Sequence, residues 1–289
     1  MATETVSAAR TMTLPRWAIG VLALLGIILA EALIAIPDPA NPTIYPYQQY
    51  GLMVHIFLVF ILLFLAVYIQ ERDIELSVFL VALSLAPLIR VFSLSMPRFW
   101  GTAPTATLPW LAVVGIPLLI AAAAVAYVQQ LPPWLLGLGM NSWKELWVQV
   151  AIGLTGLPLG LIEYTILREQ AWIMGDTVTA VLVGGVVMFF STGLAEEVIF
   201  RGIMMRRAME LLGNLKGVLF VTCVFTAMHI FFRNPLDLTF VFCVGLLYAF
   251  VVVKTKNLWG AIMSHTLANV ILYLIAPFLL VSILPPLGP

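Results

Sequence analysis

The sequence predicts an all-α, polytopic integral membrane protein with eight or nine transmembrane helices and an intramembrane polar site. Three observations lead there. Apolar residues make up 62% of the 289-residue chain and charged residues only 10%, against about 25% charged in a soluble domain. Mean hydropathy is +1.08. Apolar stretches also recur along the whole chain at the length, about 20 residues, that a helix needs to cross the hydrocarbon core.

The predicted spans are 17–36, 51–69, 76–96, 108–128, 146–167, 178–195, 217–232, 238–253 and 258–286. The first follows Arg10 and Arg16, and its "AEA" at 30–32 resembles a signal-peptide cleavage site. The run is longer than a typical signal-peptide core, so it is read as a retained span. Proline, glycine and charge mark the connections: "PDPANPTIYP" (37–46), "ERDIE" (71–75), "GNLKG" (213–217), "RNPLD" (233–237) and "KTKN" (254–257). The longer "LPPWLLGLGMNSWKE" (131–145) leaves room for an interfacial helix. The last run is long for one span, and Pro277 is expected to break it. No internal repeat, low-complexity tract or soluble domain is evident.

Residues 1–177 are taken as N-terminal transmembrane helices without an assigned function, and residues 178–289 as a motif-bearing catalytic transmembrane core. With the N-terminus inside, ten Lys and Arg residues fall on the inner side and four on the outer side or within helices. That bias predicts an N-inside orientation. "RGIMMRR" and "KTK" would then be cytoplasmic. The expected location is the cell membrane, or the endoplasmic reticulum membrane in a eukaryote. Zero net charge argues against a nucleic-acid partner. Cys223 and Cys243 lie in apolar runs and read as buried thiols rather than a disulfide or metal site. There is no CxxC pair, Walker loop or dinucleotide fingerprint.

An ionisable side chain inside a span is expensive and usually has a reason. Glu31, Arg90 and Glu163 sit where snorkelling to an interface would explain them, and His55, in the first turn of its helix, reads as an interfacial histidine rather than a catalytic one. The second half differs. Residues 178–195 carry no charge, and then come Glu196 and Glu197. Glu197 and Arg201 are four apart, a spacing that lets them pair on one helical face. Glu196 is rotated about 100° from that face. The doublet therefore reads as one structural carboxylate and one free carboxylate. Phe225 and His229 share the same four-residue spacing, as do His265 and Asn269. Folding the chain back at 213–217 brings Glu196 and His229 to within about a turn of the same depth. The next two helices return His265 and Asn269 to a comparable level.

A carboxylate removed from water holds its proton more tightly, which suits a general base acting on water. One histidine can share that proton or orient the water. A second histidine and an amide can donate to an oxyanion. These are the parts of peptide-bond hydrolysis by activated water. No serine or cysteine stands in a nucleophile motif, and Ser264 points elsewhere than its neighbour His265. The same residues offer a zinc alternative, His229 and His265 with Glu196 and one open position, though no HExxH helix is present. A proton-coupled transporter would also use intramembrane Glu and His, but the halves show no repeat symmetry.

"EEVIFR", "FTAMH" and "HTLAN", read as EExxxR, FxxxH and HxxxN, occur in that order on successive apolar segments. Together they resemble the CAAX prenyl endopeptidase and bacteriocin-processing family of intramembrane proteases, also called the abortive-infection family. The resemblance covers about residues 178–275 and leaves the first five helices unmatched. It implies that Glu196 activates the water with help from His229. His265 and Asn269 would form the oxyanion hole, and Glu197, Arg201 and Phe225 would support them. The family has been described as metallopeptidases and also as metal-free glutamate-dependent enzymes. Some of its members act as immunity or scaffold proteins without cleavage. The expectation is an intramembrane endopeptidase without a cofactor, with zinc as the alternative, acting in the lipid bilayer on a membrane-associated protein or peptide. The runner-up is a non-proteolytic immunity or scaffold protein of the same fold.

Overall fold

The computed structural model describes residues 15–140 and 142–286. Arg10, used above in the charge bias, lies outside them, as does Asn141 in the 131–145 loop. Among the described residues there are nine helices long and apolar enough to span a membrane and no strand. They are α1 (Arg16–Ala35), α2 (Gln48–Ile69), α3 (Ile74–Ser95), α4 (Pro104–Val128), α5 (Trp143–Leu167), α6 (Val178–Leu212), α7 (Asn214–Phe232), α8 (Pro235–Thr255) and α9 (Trp259–Leu279). The protein is an all-α polytopic membrane protein.

Local chemistry sets the helix starts. The Asp73 carboxylate accepts from the Leu76 backbone N–H at 3.1 Å and opens α3. Ser142 does the same for Glu145 at α5, and Thr177 for Ala180 at α6. Asn234 caps α8 by accepting from both Leu236 and Asp237, and Pro235 occupies the first helical position. These caps satisfy backbone donors that have no partner within the helix.

Two differences from the sequence reading bear on the site and the last span. The sixth helix does not stop at 195 but runs to Leu212. Its charges do not end the span, because Glu197 and Arg201 pair with each other inside the bundle. The last helix survives Pro277, which sits in the first turn of a closing helical segment, Ala276–Leu279. A π-helical stretch, Ile271–Ile275, precedes it. A proline early in a helical segment removes an N–H that would lack a partner there anyway. The 131–140 stretch forms turns, and no interfacial helix is found among its described residues.

The turn between α6 and α7 is one residue, Gly213, at φ +85°. That left-handed backbone favours glycine, and it folds the two motif-bearing helices into a hairpin. One apolar cluster joins both halves of the chain, drawing Ile27, Leu62 and Phe79 together with Phe200, Phe225 and Ile262. Phe57, Phe60, Phe64 and Leu182 are exposed on the outside of the bundle, the face spanning helices turn to lipid. Cys223 is half-buried and Cys243 is exposed, and both are free thiols, so only the first is even partly sheltered as the sequence led one to expect.

Helix α9, which carries His265 and Asn269, is held by a close approach to α5. A Cβ at Gly156 would run into the Ser264 carbonyl, and one at Gly160 into the Ala268 carbonyl. Small residues permit this backbone contact in the absence of a hydrophobic driving force between helices in lipid. Gly160→Val should therefore destabilise the detergent-solubilised protein by about 1–3 kcal/mol, the cost of overpacking a filled interface. Thermal unfolding of Gly160→Val beside wild type checks this. An unchanged midpoint would mean that α5 and α9 have room to separate.

Candidate active site

Glu196 and Glu197 sit in a short α-helical segment, Ala195–Glu197, between two π-helical stretches, Phe189–Leu194 and Val198–Met204. Such widened turns recur at functional sites because they re-aim side chains that a regular helix would stack. The two carboxylates face different surroundings. Glu197 is fully buried, and its Oε1 accepts from Arg201 Nη1 at 2.9 Å and from His265 Nδ1 at 2.9 Å. Its Oε2 is buried without a hydrogen-bond partner among the described residues. The Glu196 side chain keeps 25% of its surface open, and its Oε2 lies 4.0 Å from His265 Nε2.

One imidazole is thus bracketed by adjacent glutamates. The sequence reading gave Glu197 a single partner, Arg201; the structure adds His265. The carboxylate accepts only, so His265 Nδ1 carries the proton that bonds it. The ring orientation is fixed by that bond, and Nε2 is turned toward Glu196.

His229 follows the α-helical part of α7, which ends at Ala227. Its Nδ1 lies 2.9 Å from the Phe225 carbonyl. A carbonyl also only accepts, so Nδ1 is the protonated nitrogen and Nε2 presents a lone pair. Phe225 separates the two histidines. Its ring lies 4.8 Å from the His229 ring and 6.2 Å from the His265 ring, centroid to centroid. The Arg201 guanidinium carbon is 4.2 Å from the Phe225 ring centre, a cation–π contact that shields this charge from the apolar core.

Asn269 donates from Nδ2 to Thr192 Oγ1 at 3.1 Å, and Thr192 donates in turn to the Met188 carbonyl at 2.7 Å. That chain orients the amide and leaves its second N–H for another acceptor.

Glu196, His229, His265, Asn269 and Phe225 all line one cavity of about 230 Å³, and Glu197 and Arg201 lie behind it. The remaining wall is mostly apolar, from Trp110, Leu111, Phe232, Val244 and others. A mostly apolar pocket with a few convergent polar groups is the usual form of a small-molecule or peptide site.

Several residues take places that the sequence did not assign. Glu31 and Arg90 do not snorkel to an interface. Arg90 donates from Nε and Nη2 to the two Glu31 oxygens at 2.7 and 3.0 Å, and Arg90 reaches the cavity wall. His55 is not interfacial either. It is fully buried with Nε2 3.2 Å from Glu31 Oε1, but not aligned for a hydrogen bond. Glu163 also lines the cavity. Their common sequence signal was a charge within a span, and pairing across helices is the alternative to snorkelling. Thr192 gave no signal, since a hydroxyl in a spanning helix can be satisfied by its own backbone. In the loop beyond α5, burial pushes the Glu169 carboxyl up, and Asp237 adds to the effect.

Among the described residues, no three His, Cys, Asp or Glu side chains are grouped so as to hold a metal ion. Of the zinc trio offered by the sequence, Glu196 and His265 face each other at 4.0 Å and His229 lines the same cavity.

Fold and site together define a helical membrane protein with a cluster of polar and ionisable side chains around a cavity inside the bundle. Comparison with known families adds the particular relationship. Residues 178–271 match the Rce1-like family, described as Type II CAAX prenyl endopeptidase Rce1-like. The match spans about a third of the chain and contains all three motifs, so the resemblance read from them is borne out over that segment. At family level this supports peptidase activity. No curated protein and no solved structure matches the chain.

The two glutamates should fail differently when truncated. Glu197→Ala strips a buried Arg201 of its counter-charge and His265 of its anchor, a loss of about 3–5 kcal/mol for a broken buried pair. Glu196→Ala removes a partly open group with no hydrogen-bond partner at short range, and should cost less. Thermal unfolding of both variants in one detergent makes the comparison. A less stable Glu196→Ala would reverse the division of labour.

Proposed function

We propose that the protein is an intramembrane endopeptidase in which Glu196 activates a water molecule held in the cavity. The observation that carries this reading is the bracketed imidazole: His265 bonded through Nδ1 to buried Glu197 and facing open Glu196 through Nε2. With His265 as an imidazolium, its charge and that of Arg201 balance the two carboxylates. A neutral cluster is the form a buried site tolerates best.

In this reading Glu196 removes a proton from water as the oxygen attacks the substrate carbonyl. The His229 Nε2 lone pair accepts a hydrogen bond from the same water and so directs its oxygen. The carbonyl oxygen becomes an oxyanion and receives donors from His265 Nε2–H and the free Asn269 N–H. The peptide C–N bond then breaks, and the proton held by Glu196 passes to the departing amine. Three of these groups are held before reaction: His265 by Glu197, His229 by the Phe225 carbonyl, and Asn269 by Thr192. Preorganised donors of this kind supply the largest single contribution in many hydrolases.

The substrate in this reading is a membrane-associated protein or peptide that enters the bundle from the bilayer or its surface. No metal is required, because a carboxylate base and two oxyanion donors account for the chemistry.

Glu196→Ala and His229→Ala should each lower cleavage by about 10²–10⁴-fold, the range for loss of general acid–base assistance. Both variants should remain monodisperse in detergent. Asn269→Ala should cost about 10²–10³-fold in kcat, as for an oxyanion donor. Membrane proteomics of cells carrying wild type or Glu196→Gln identifies the substrate through precursors that accumulate only in the variant. Full cleavage by Glu196→Ala would sink the mechanism. Identical proteomes, with no activity on any peptide, would leave the scaffold or immunity reading in its place.

Metal content is tested separately. The purified active protein is expected to contain substoichiometric zinc and to keep its activity in a chelator. Stoichiometric zinc, lost together with activity and restored with it, overturns the metal-free assignment.

A further inference from the structure

The matched segment begins at 178, yet the cavity holds a cation from outside it. Arg90, on α3, is 12% exposed at its side chain, and Glu31, on α1, is fully buried. The Glu31 carboxylate accepts two bonds from Arg90. Arg90 Nη2 also donates to the Met228 carbonyl at 2.7 Å. The guanidinium carbon lies 5.1 Å from the Phe231 ring centre.

Met228 and Phe231 flank His229 on either side in the chain. The last carbonyls of a helix lack partners within it, and inside a membrane no bulk water replaces them. At the end of the α-helical part of α7 the chain passes into a short 3₁₀ turn, Ile230–Phe232. Arg90 supplies the missing donor at that transition, and a cation there also complements the negative end of the helix dipole. The Met228 carbonyl and the His229 nitrogen belong to one planar peptide unit. Holding that carbonyl fixes the plane from which the His229 side chain departs. The Phe225 carbonyl then sets the rotation of the ring.

We propose that Arg90, held in place by Glu31, is a positioning residue for His229: a clamp supplied by the N-terminal helices that aims the imidazole into the cavity. An ion pair serving only to join helices would need Glu31 and Arg90 alone. It would not need the third bond to Met228 or the placement against Phe231. The fork matters as well as the charge. A guanidinium can serve two carboxylate oxygens and a carbonyl at once, whereas a lysine ammonium at the same place cannot reproduce that geometry. The kinetic part of the proposal rests on the hydrolytic reading of the site. The geometric part does not.

The chain has three histidines, His55, His229 and His265, so imidazole ¹⁵N resonances of the labelled full-length protein can be assigned by single substitutions. Wild type should show His229 as one Nδ1–H tautomer. In Arg90→Ala the His229 signals should shift or split, while those of His265 stay in place. Arg90→Lys and Glu31→Gln should give the same change in smaller degree and serve if Arg90→Ala does not fold. In the cleavage assay, kcat should fall about tenfold to hundredfold in Arg90→Ala, the scale of a small misplacement of a reacting group. KM should change little, and added guanidinium should recover part of the loss.

Unchanged His229 resonances in the folded variants overturn the clamp, whether or not the wild type cleaves a peptide. Equal disturbance of His229 and His265 also overturns it, because that is the signature of a general structural role. If wild type proves inactive while the His229 signals respond as expected, the hydrolytic reading fails and the clamp stands.

Discussion

The arrangement of this site depends on one buried carboxylate. Glu197 is sealed from solvent and takes two charged or chargeable donors, Arg201 from its own helix and His265 from the last span. A lone carboxylate in that position would carry a desolvation cost of several kcal/mol. The two donors offset the cost, and in doing so they fix where α6 and α9 meet. The His265 ring cannot turn without breaking the bond to Glu197, and its second nitrogen is thereby committed to Glu196. The carboxylate of the salt bridge predicted within a single helix thus also makes a tertiary bond between α6 and α9.

The rest of the bundle serves that junction. The single-residue turn at Gly213 returns α7 beside α6 and delivers His229. The glycines of α5 let α9 approach at backbone distance, which sets the depth of His265 and Asn269. The π-helical stretches on both sides of the glutamate pair alter the angular register of α6. Each π turn forfeits regular i→i+4 hydrogen bonding, and the apolar cluster shared by both halves of the chain holds the distorted helix in place. The N-terminal spans add more than lipid-facing surface. Glu31 and Arg90 bring a paired cation to the cavity wall.

Charge inside a span was the most informative feature of the sequence: the pairing of Glu197 with Arg201 is legible in it, and the pairing of Glu31 with Arg90 is not. At Glu196 to Arg201 the spacing itself revealed a pair, because four residues make one turn of helix and both partners lie on one face. Glu31 and Arg90 are 59 residues apart. Their pairing depends on how α1 packs against α3, which no local spacing encodes. Snorkelling was the local explanation, and the fold replaced it with a cross-helix bond. The length of α6 was misjudged for a related reason. A charged stretch normally marks the end of a span, but charges that neutralise one another inside the bundle do not.

The sequence by itself determined that the chain is a bundle of membrane-spanning helices. Apolar runs of spanning length admit little else once every backbone group must find its partner within the segment. It also determined which residues were unusual enough to form a site, since a glutamate, a histidine or an amide rarely stands in a span without a purpose. Only the tertiary structure decided how those residues relate: that Glu197 bonds His265 as well as Arg201, that Thr192 holds Asn269, and that Arg90 reaches the carbonyl before His229. The physical reason is one of range. Hydropathy and helical periodicity act over a turn or a span and can be read along the chain. A hydrogen bond between side chains on different helices exists only at one relative depth and rotation, which the packing of the whole bundle sets.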